Sequence, residues 1–208
     1  MHRRQFCGAS CAAIIGFPFF NSSLKKITKD LPPFCGVRDA ASGPFKRKSS
    51  WSKNHLTYYM HSRDSGELSS EVWDHEFKLA FDAWSEVTPL TFSKSDNIRS
   101  SDIVIAVGGR KKEGFGRSGG TLAWAQLPPS KGYDGQLLTK FDLAEDWVLP
   151  GGDHGIILRS VACHEIGHLL GLDHSNDEDA LMYPYINDAL KPRMDDIQKI
   201  QKLYGPRA

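Results

Sequence analysis

Residues Val161–Pro184 read VACHEIGHLLGLDHSNDEDALMYP. His164 and His168 stand four apart, which on a helix puts both imidazoles on one face, close enough to hold one ion. Between and after them, Ile166, Leu169, Leu170 and Leu172 give the same helix an apolar face to pack. Gly171 can take positive φ and end the helix. The chain can then turn back, and His174 can offer a third nitrogen. Three protein nitrogens at about 2.0–2.1 Å suit zinc and leave a fourth position for water. Glu165 directly follows the first histidine, where a carboxylate can take a proton from that water and pass it to a leaving amine. HExxH alone is a common pattern. The longer HExxHxxGxxH is far more specific, because each fixed position has its own task. A surface helix with chance histidines would leave the apolar residues between them unexplained.

Working outward, 208 residues suit one domain plus a leader. A hydrophobic fraction of 40%, with 11 Phe and 5 Trp, is enough for a core. The 26 Lys and Arg against 25 Asp and Glu leave a net charge of +1, which argues against nucleic-acid binding driven by bulk positive charge. Once the first residues are set aside, no apolar run is long enough to span a membrane.

Those first residues read as an export signal, residues 1–23. His2, Arg3 and Arg4 form a basic start, Phe6 to Phe20 an apolar run, and Asn21, Ser22 and Ser23 a small polar end. Arg3-Arg4-Gln5-Phe6 resembles a twin-arginine signal and equally fits an ordinary secretory one. Cleavage there removes Cys7 and Cys11. Cys35 and Cys163 remain, too few and too far apart for a disulfide framework. Residues 24–50 are basic and without periodicity, a linker or short pro-segment, with Lys46-Arg47-Lys48 as a candidate processing site.

From residue 51 to 208 the chain reads as one structured domain. Leu56–Met60 predicts a strand. Trp73, Phe77, Ala80, Phe81 and Trp84 recur at helical spacing and predict a helix over Ser70–Val87. Asp102–Val107 predicts a buried strand, Gly108–Gly120 a Gly-rich loop, and Leu122–Leu127 a short strand ended by Pro128-Pro129. Leu137–Asp142 predicts a further strand. Ile156–Leu172 and Asp195–Tyr204 predict two more helices, the last with aspartates in its first turn, where they suit the helix dipole.

On these residues the chain resembles the metzincin metalloproteases and, within them, the matrixins (matrix metalloproteinases). Ser175 after the third histidine and Ala180-Leu181-Met182-Tyr183-Pro184, similar to the family's Met-turn, carry the narrower resemblance, with Met182 implied beneath the zinc. It extends through Trp51–Tyr58, Ala80–Phe92, Leu122–Ala125, Phe141–Trp147 and Asp195–Gly205. The family's hemopexin-like domain has no counterpart in the sequence. The implied fold is an α/β (α+β) zincin: a twisted, mixed five-stranded sheet with three helices and the site in a cleft.

Pro33-Phe34-Cys35-Gly36-Val37-Arg38-Asp39 resembles the matrixin cysteine switch, in which a pro-segment thiolate fills the fourth zinc position. Phe34 stands where the family usually has Arg, and Arg38 where it has Pro. The family's Arg–Asp clamp is therefore not spelled out here. Cys163 reads as a buried helix cysteine. The family's structural zinc is expected to be absent, since Trp124 and Lys140 occupy two of its histidine positions. Asp142 and Glu145 match two carboxylates of the family's calcium site while Gly116 replaces an aspartate, so calcium stays an open candidate. The resemblance also implies a substrate bound as an added antiparallel strand along Leu122, Ala123, Trp124 and Ala125. Its P1′ side chain would enter a pocket formed partly by Ser160 and by Pro184-Tyr185-Ile186. A small Ser160 predicts room for a long apolar group.

The sequence thus predicts a secreted zinc endopeptidase, extracellular or, in a bacterium, periplasmic. It would act as a monomer on protein or peptide substrates, with Glu165 activating water. The competing class is a catalytically silent zinc-containing protein-binding module of the same fold. The intact Glu165 argues against it, because holding zinc needs no base there.

Overall fold

The apolar period from Trp73 to Trp84 becomes the longest helix among the described residues. The computed structural model describes residues 33–37, 49–61, 68–108, 115 and 118–208, all within one compact unit, Pro32–Ala208. The export-signal reading, Cys7, Cys11, Arg38, Asp39, Gly116 and most of residues 24–50 lie outside the described residues. In chain order the strands and helices are β1 (Phe34–Cys35), β2 (Ser50–Trp51), β3 (His55–His61), α1 (Ser70–Ser85), β4 (Thr91–Lys94) and β5 (Ile103–Gly108). There follow β6 (Thr121–Ala125), β7 (Lys131–Tyr133), β8 (Leu137–Asp142), β9 (Trp147–Val148), β10 (Ile156–Ile157), α2 (Leu158–Leu169) and α3 (Met194–Tyr204).

The main sheet runs β1-β6-β8-β5-β3-β4. Strands β4, β3, β5 and β8 are parallel, β6 is antiparallel to β8, and β1 lies parallel to β6. Five of these are the strands of the expected mixed sheet. The sixth, β1, comes from the segment before the domain and extends the edge at β6. Strand β5 reads IVIAVG and is mostly buried, as a parallel strand covered on both faces must be. Strand β4 has no sequence forecast. It is a polar edge strand in which only Phe92 is half-buried, so alternation does not mark it.

Helix α1 buries Trp73, Phe77, Ala80, Phe81 and Trp84 on one face. Phe77 and Trp73 meet Phe141 of β8 edge-on at 5.1 and 5.9 Å between ring centroids, within the favoured range for aromatic pairs. Trp84 reaches the next layer, its indole Nε1 donating to the Cys163 carbonyl of α2 at 2.9 Å. Arg159 of α2 grips the buried Glu76 of α1 with Nε at 2.8 Å and Nη2 at 2.9 Å. A fork of this kind fixes geometry as well as charge.

Helix α2 starts two residues later than its apolar run suggests. Ile156 and Ile157 pair with Trp147 and Val148 as a small parallel sheet, entered through Gly155 at φ +124°. It ends at Leu169, with Gly171 at φ +101° making the turn the sequence predicts. A Cβ at Gly171 would also strike the Ser49 carbonyl. The start of the domain lies directly on this helix end. Trp51 Nε1 donates to the Leu169 carbonyl at 2.8 Å, and Tyr204 Oη donates to that of Leu170 at 2.7 Å. Carbonyls that a helix terminus leaves open are thereby satisfied.

Candidate metal centre

Helix α2 carries His164 and His168 on one buried face, and the chain beyond Gly171 brings His174 to them. Ring centroids are 4.9 Å apart for His164–His168, 5.4 Å for His164–His174 and 4.7 Å for His168–His174. Cys35 of β1 completes the group, and one ligand atom from each of the four lies within 4.8 Å of the others. Cys35 Sγ is 3.4 Å from His168 Nε2. Among the described residues this is the one cluster of at least three His, Cys, Asp or Glu that could hold an ion.

The outer nitrogens are already engaged. His164 Nδ1 lies 2.7 Å from the Leu181 carbonyl and His168 Nδ1 lies 2.7 Å from that of Leu172. A carbonyl only accepts, so Nδ1 carries the proton and the Nε2 lone pairs face the cluster. Burial pushes the pKa of His164 down to about 3 and that of His168 well below the ordinary range, which keeps both rings neutral. His164 Nε2 is buried with no hydrogen-bond partner. A buried lone pair without a donor is costly, and a metal ion is what would satisfy it. Three imidazoles and a thiol fit zinc, a borderline-soft ion with N/S preference.

Glu165 is fully buried beside the cluster. Burial pushes its pKa up to about 8. The nearby Cys35 thiol opposes this weakly, and neither carboxylate oxygen has a well-formed hydrogen bond. Burial therefore dominates, and the group is poised to hold a proton near neutral pH. Cys163 points elsewhere. Its Sγ faces the Ala80 carbonyl at 3.8 Å, and burial pushes its pKa up.

Beside Gly167 of α2, Met182 is fully buried. A Cβ at Gly167 would collide with Met182 Sδ and with the Trp84 ring, so this helix position has room only for hydrogen. Asp196 of α3 is buried and accepts from the backbone N–H groups of Leu181 (2.8 Å), Met182 (3.1 Å) and Arg193 (2.9 Å). The chain Asp196–Leu181–His164 thus links the last helix to a ring at the centre. The sequence reading passed over both Gly167 and the buried role of Asp196. The pair Asp195-Asp196 was the visible signal, but it also reads as an ordinary acidic first turn.

Strand β1 lies between the two segments expected for substrate. On one side Phe34 pairs with Thr121 and Cys35 with Ala123, and Gly36 N donates to the Ala123 carbonyl at 2.8 Å. On the other, Cys35 N donates to the Pro184 carbonyl at 3.0 Å and Phe34 bridges Tyr185. Leu122, Ala123 and Ala125 are buried, and Trp124 is half-buried. Ser160 is buried, its hydroxyl donating to the Asn187 carbonyl at 2.5 Å, so it ties the helix to the loop after Met182.

Away from the cleft, Trp124 and Lys140 are direct register partners across β6 and β8. Asp142 Oδ1 accepts from Ala144 N at 2.9 Å. Both Glu145 oxygens accept from Gly119 N, at 2.8 and 2.9 Å, and Ser118 Oγ donates to Oε2 at 3.2 Å. These carboxylates meet N–H and O–H donors. A calcium ion needs six to eight oxygens turned toward one point, and Gly116 in the neighbouring loop lies outside the described residues. No helix among them is long and apolar enough to cross a membrane.

A family model described as matrixin matches residues 50–205. Human matrix metalloproteinase-20 is 41% identical over 183 residues, 84% of this chain and 36% of the human protein. Metalloendoproteinase 5-MMP of Arabidopsis thaliana is 37% identical over 219 aligned positions, 89% of this chain and 58% of the plant protein. The chain spans between a third and three-fifths of the length of these relatives.

Proposed function

The chain belongs to the matrixin family, and from that premise we propose that it is a zinc-dependent endopeptidase that cuts protein substrates. The single observation that carries this is the cluster of three imidazoles with the buried Glu165 beside it. His164, His168 and His174 would hold the ion, with Nδ1 bonds to Leu181 and Leu172 setting the direction of two rings. Bound zinc supplies Lewis acidity, which makes water a nucleophile at neutral pH. Glu165 takes up the proton released by the attacking water and hands it to the leaving amine. Its raised pKa suits a group that must both accept and donate near pH 7.

Substrate would lie along β6, its main chain bonded to Leu122–Ala125 as an antiparallel strand. The segment Pro184–Ile186 forms the facing wall and, with Ser160 at the back, receives an apolar P1′ side chain. Strand β1 runs parallel to β6 in the same cleft and brings Cys35 to the histidines. We read residues 24–50 as a pro-segment that blocks the cleft until removed, and residues 1–23 as the signal for secretion of a protein that works as a monomer.

The test compares the Cys35→Ser chain with the same chain carrying Glu165→Ala, for zinc content by mass and for cleavage of a quenched peptide library. One zinc in both, with chelator-sensitive cleavage in the first alone, is the expected result. One zinc in both with no cleavage by either would establish a silent binding module instead.

A further inference from the structure

The edge that receives a peptide begins at Thr121, and what precedes it is a loop, not a helix or strand. Loop backbone is mobile unless something ties it down. Here the tie is Glu145, largely buried at 7% exposure. Its carboxylate takes the Gly119 N–H with both oxygens and the Ser118 hydroxyl with one. The next residue, Gly120, offers its carbonyl to Phe34 N at 3.2 Å, the first contact between β1 and the edge. Gly119 itself stands at φ +80°, a conformation that glycine takes without strain.

We propose that Glu145 is a positioning residue for the peptide-binding edge: by clamping Ser118 and Gly119 without a cation, it sets where β6 begins and so how a strand docks on it. Charge-assisted bonds to backbone N–H are among the stronger hydrogen bonds. Removing the acceptor releases the Gly119 N–H and the Ser118 hydroxyl to solvent and leaves the start of β6 loose. A docked strand is then held less well, while the histidines and Glu165 are untouched. The part of this proposal that concerns substrate rests on the endopeptidase reading; the part that concerns β1 does not.

The experiment therefore has two readouts. The first is alkylation of Cys35 by iodoacetamide in the full chain, followed at that residue by peptide mass, since β1 docks on the same edge. Glu145→Ala should speed alkylation about tenfold, as loss of one charge-assisted bond predicts. Glu145→Gln, which keeps an acceptor oxygen, and Ser118→Ala, which keeps the carboxylate, should each stay within about threefold of the wild type. The second readout is peptide cleavage in a Cys35→Ser background, where Glu145→Ala should raise KM about tenfold with kcat within about twofold. Millimolar calcium should change neither readout in the Glu145 protein.

Equal alkylation rates in all variants would overturn the proposal. So would a Gln variant as loose as Ala, or calcium that slows alkylation in the wild type. A fall in kcat with KM unchanged would overturn the link to substrate. If the Cys35→Ser protein cleaves nothing, the endopeptidase reading fails, and the alkylation rates still decide whether Glu145 holds the edge.

Discussion

Two regions of this domain hold buried polar side chains drawn from metal-binding residue types, and they are built oppositely. At the histidine cluster, carbonyls engage the outer ring nitrogens and drive the lone pairs inward, where His164 Nε2 meets no donor. At Asp142 and Glu145, backbone N–H groups and a serine hydroxyl point at the carboxylates and satisfy them. Residue type alone treats the two alike. The direction of the neighbouring donors separates them: one region leaves a buried lone pair without a donor, the other turns donors toward its carboxylates.

The largest effect expected falls on the first region. Glu165→Ala should keep one zinc per chain and lower kcat by about 10²–10⁴-fold, the usual contribution of a positioned general base, as a stopped assay with metal analysis would read. Loss of zinc in that variant would show that the carboxylate helps to hold the ion, and would blur the contrast. Next is Asp196→Ala, which strands the N–H groups of Leu181, Met182 and Arg193. It should cost about 3 kcal/mol and lower Tm by roughly 6–12 °C in calorimetry. Gly167→Ala forces a methyl group against Met182 and Trp84. A cost of about 1–3 kcal/mol is expected, with weaker zinc binding in a competition titration because the helix that carries both histidines must shift. The smallest effect is reserved for a surface control. Lys78→Ala removes an exposed pair with Asp82 at 2.6 Å and should change stability by less than about 0.5 kcal/mol. A larger change would mean that surface ion pairs, and not the buried donors, set the stability of this fold.

The sequence displayed some of this plainly. Helix α1 was legible because Trp73, Phe77, Ala80, Phe81 and Trp84 keep one period over about three turns. The cluster was legible because His164 and His168 share a helix face by local spacing, and Gly171 marks the turn that brings His174 to them. What escaped was set by distant partners. Ile156 and Ile157 look helical until Trp147 and Val148 claim them as a strand. Strand β4 exists through its pairing with β3, with too few apolar residues of its own to announce it. The buried place of Asp196, the hydrogen-only seat at Gly167 and the Glu145 clamp each depend on a contact across many residues. No window along the chain contains both partners.

The link from Asp196 through Leu181 to His164 has a consequence in time. A ribosome delivers His164, His168 and His174 well before it delivers α3. Until Asp196 emerges, the turn at Leu181 and Met182 lacks the acceptor for its N–H groups, and the ring of His164 lacks a fixed carbonyl to point it. A nascent chain therefore carries every ligand yet no organised centre. Maturation of the site waits on α3, which is made after all three histidines.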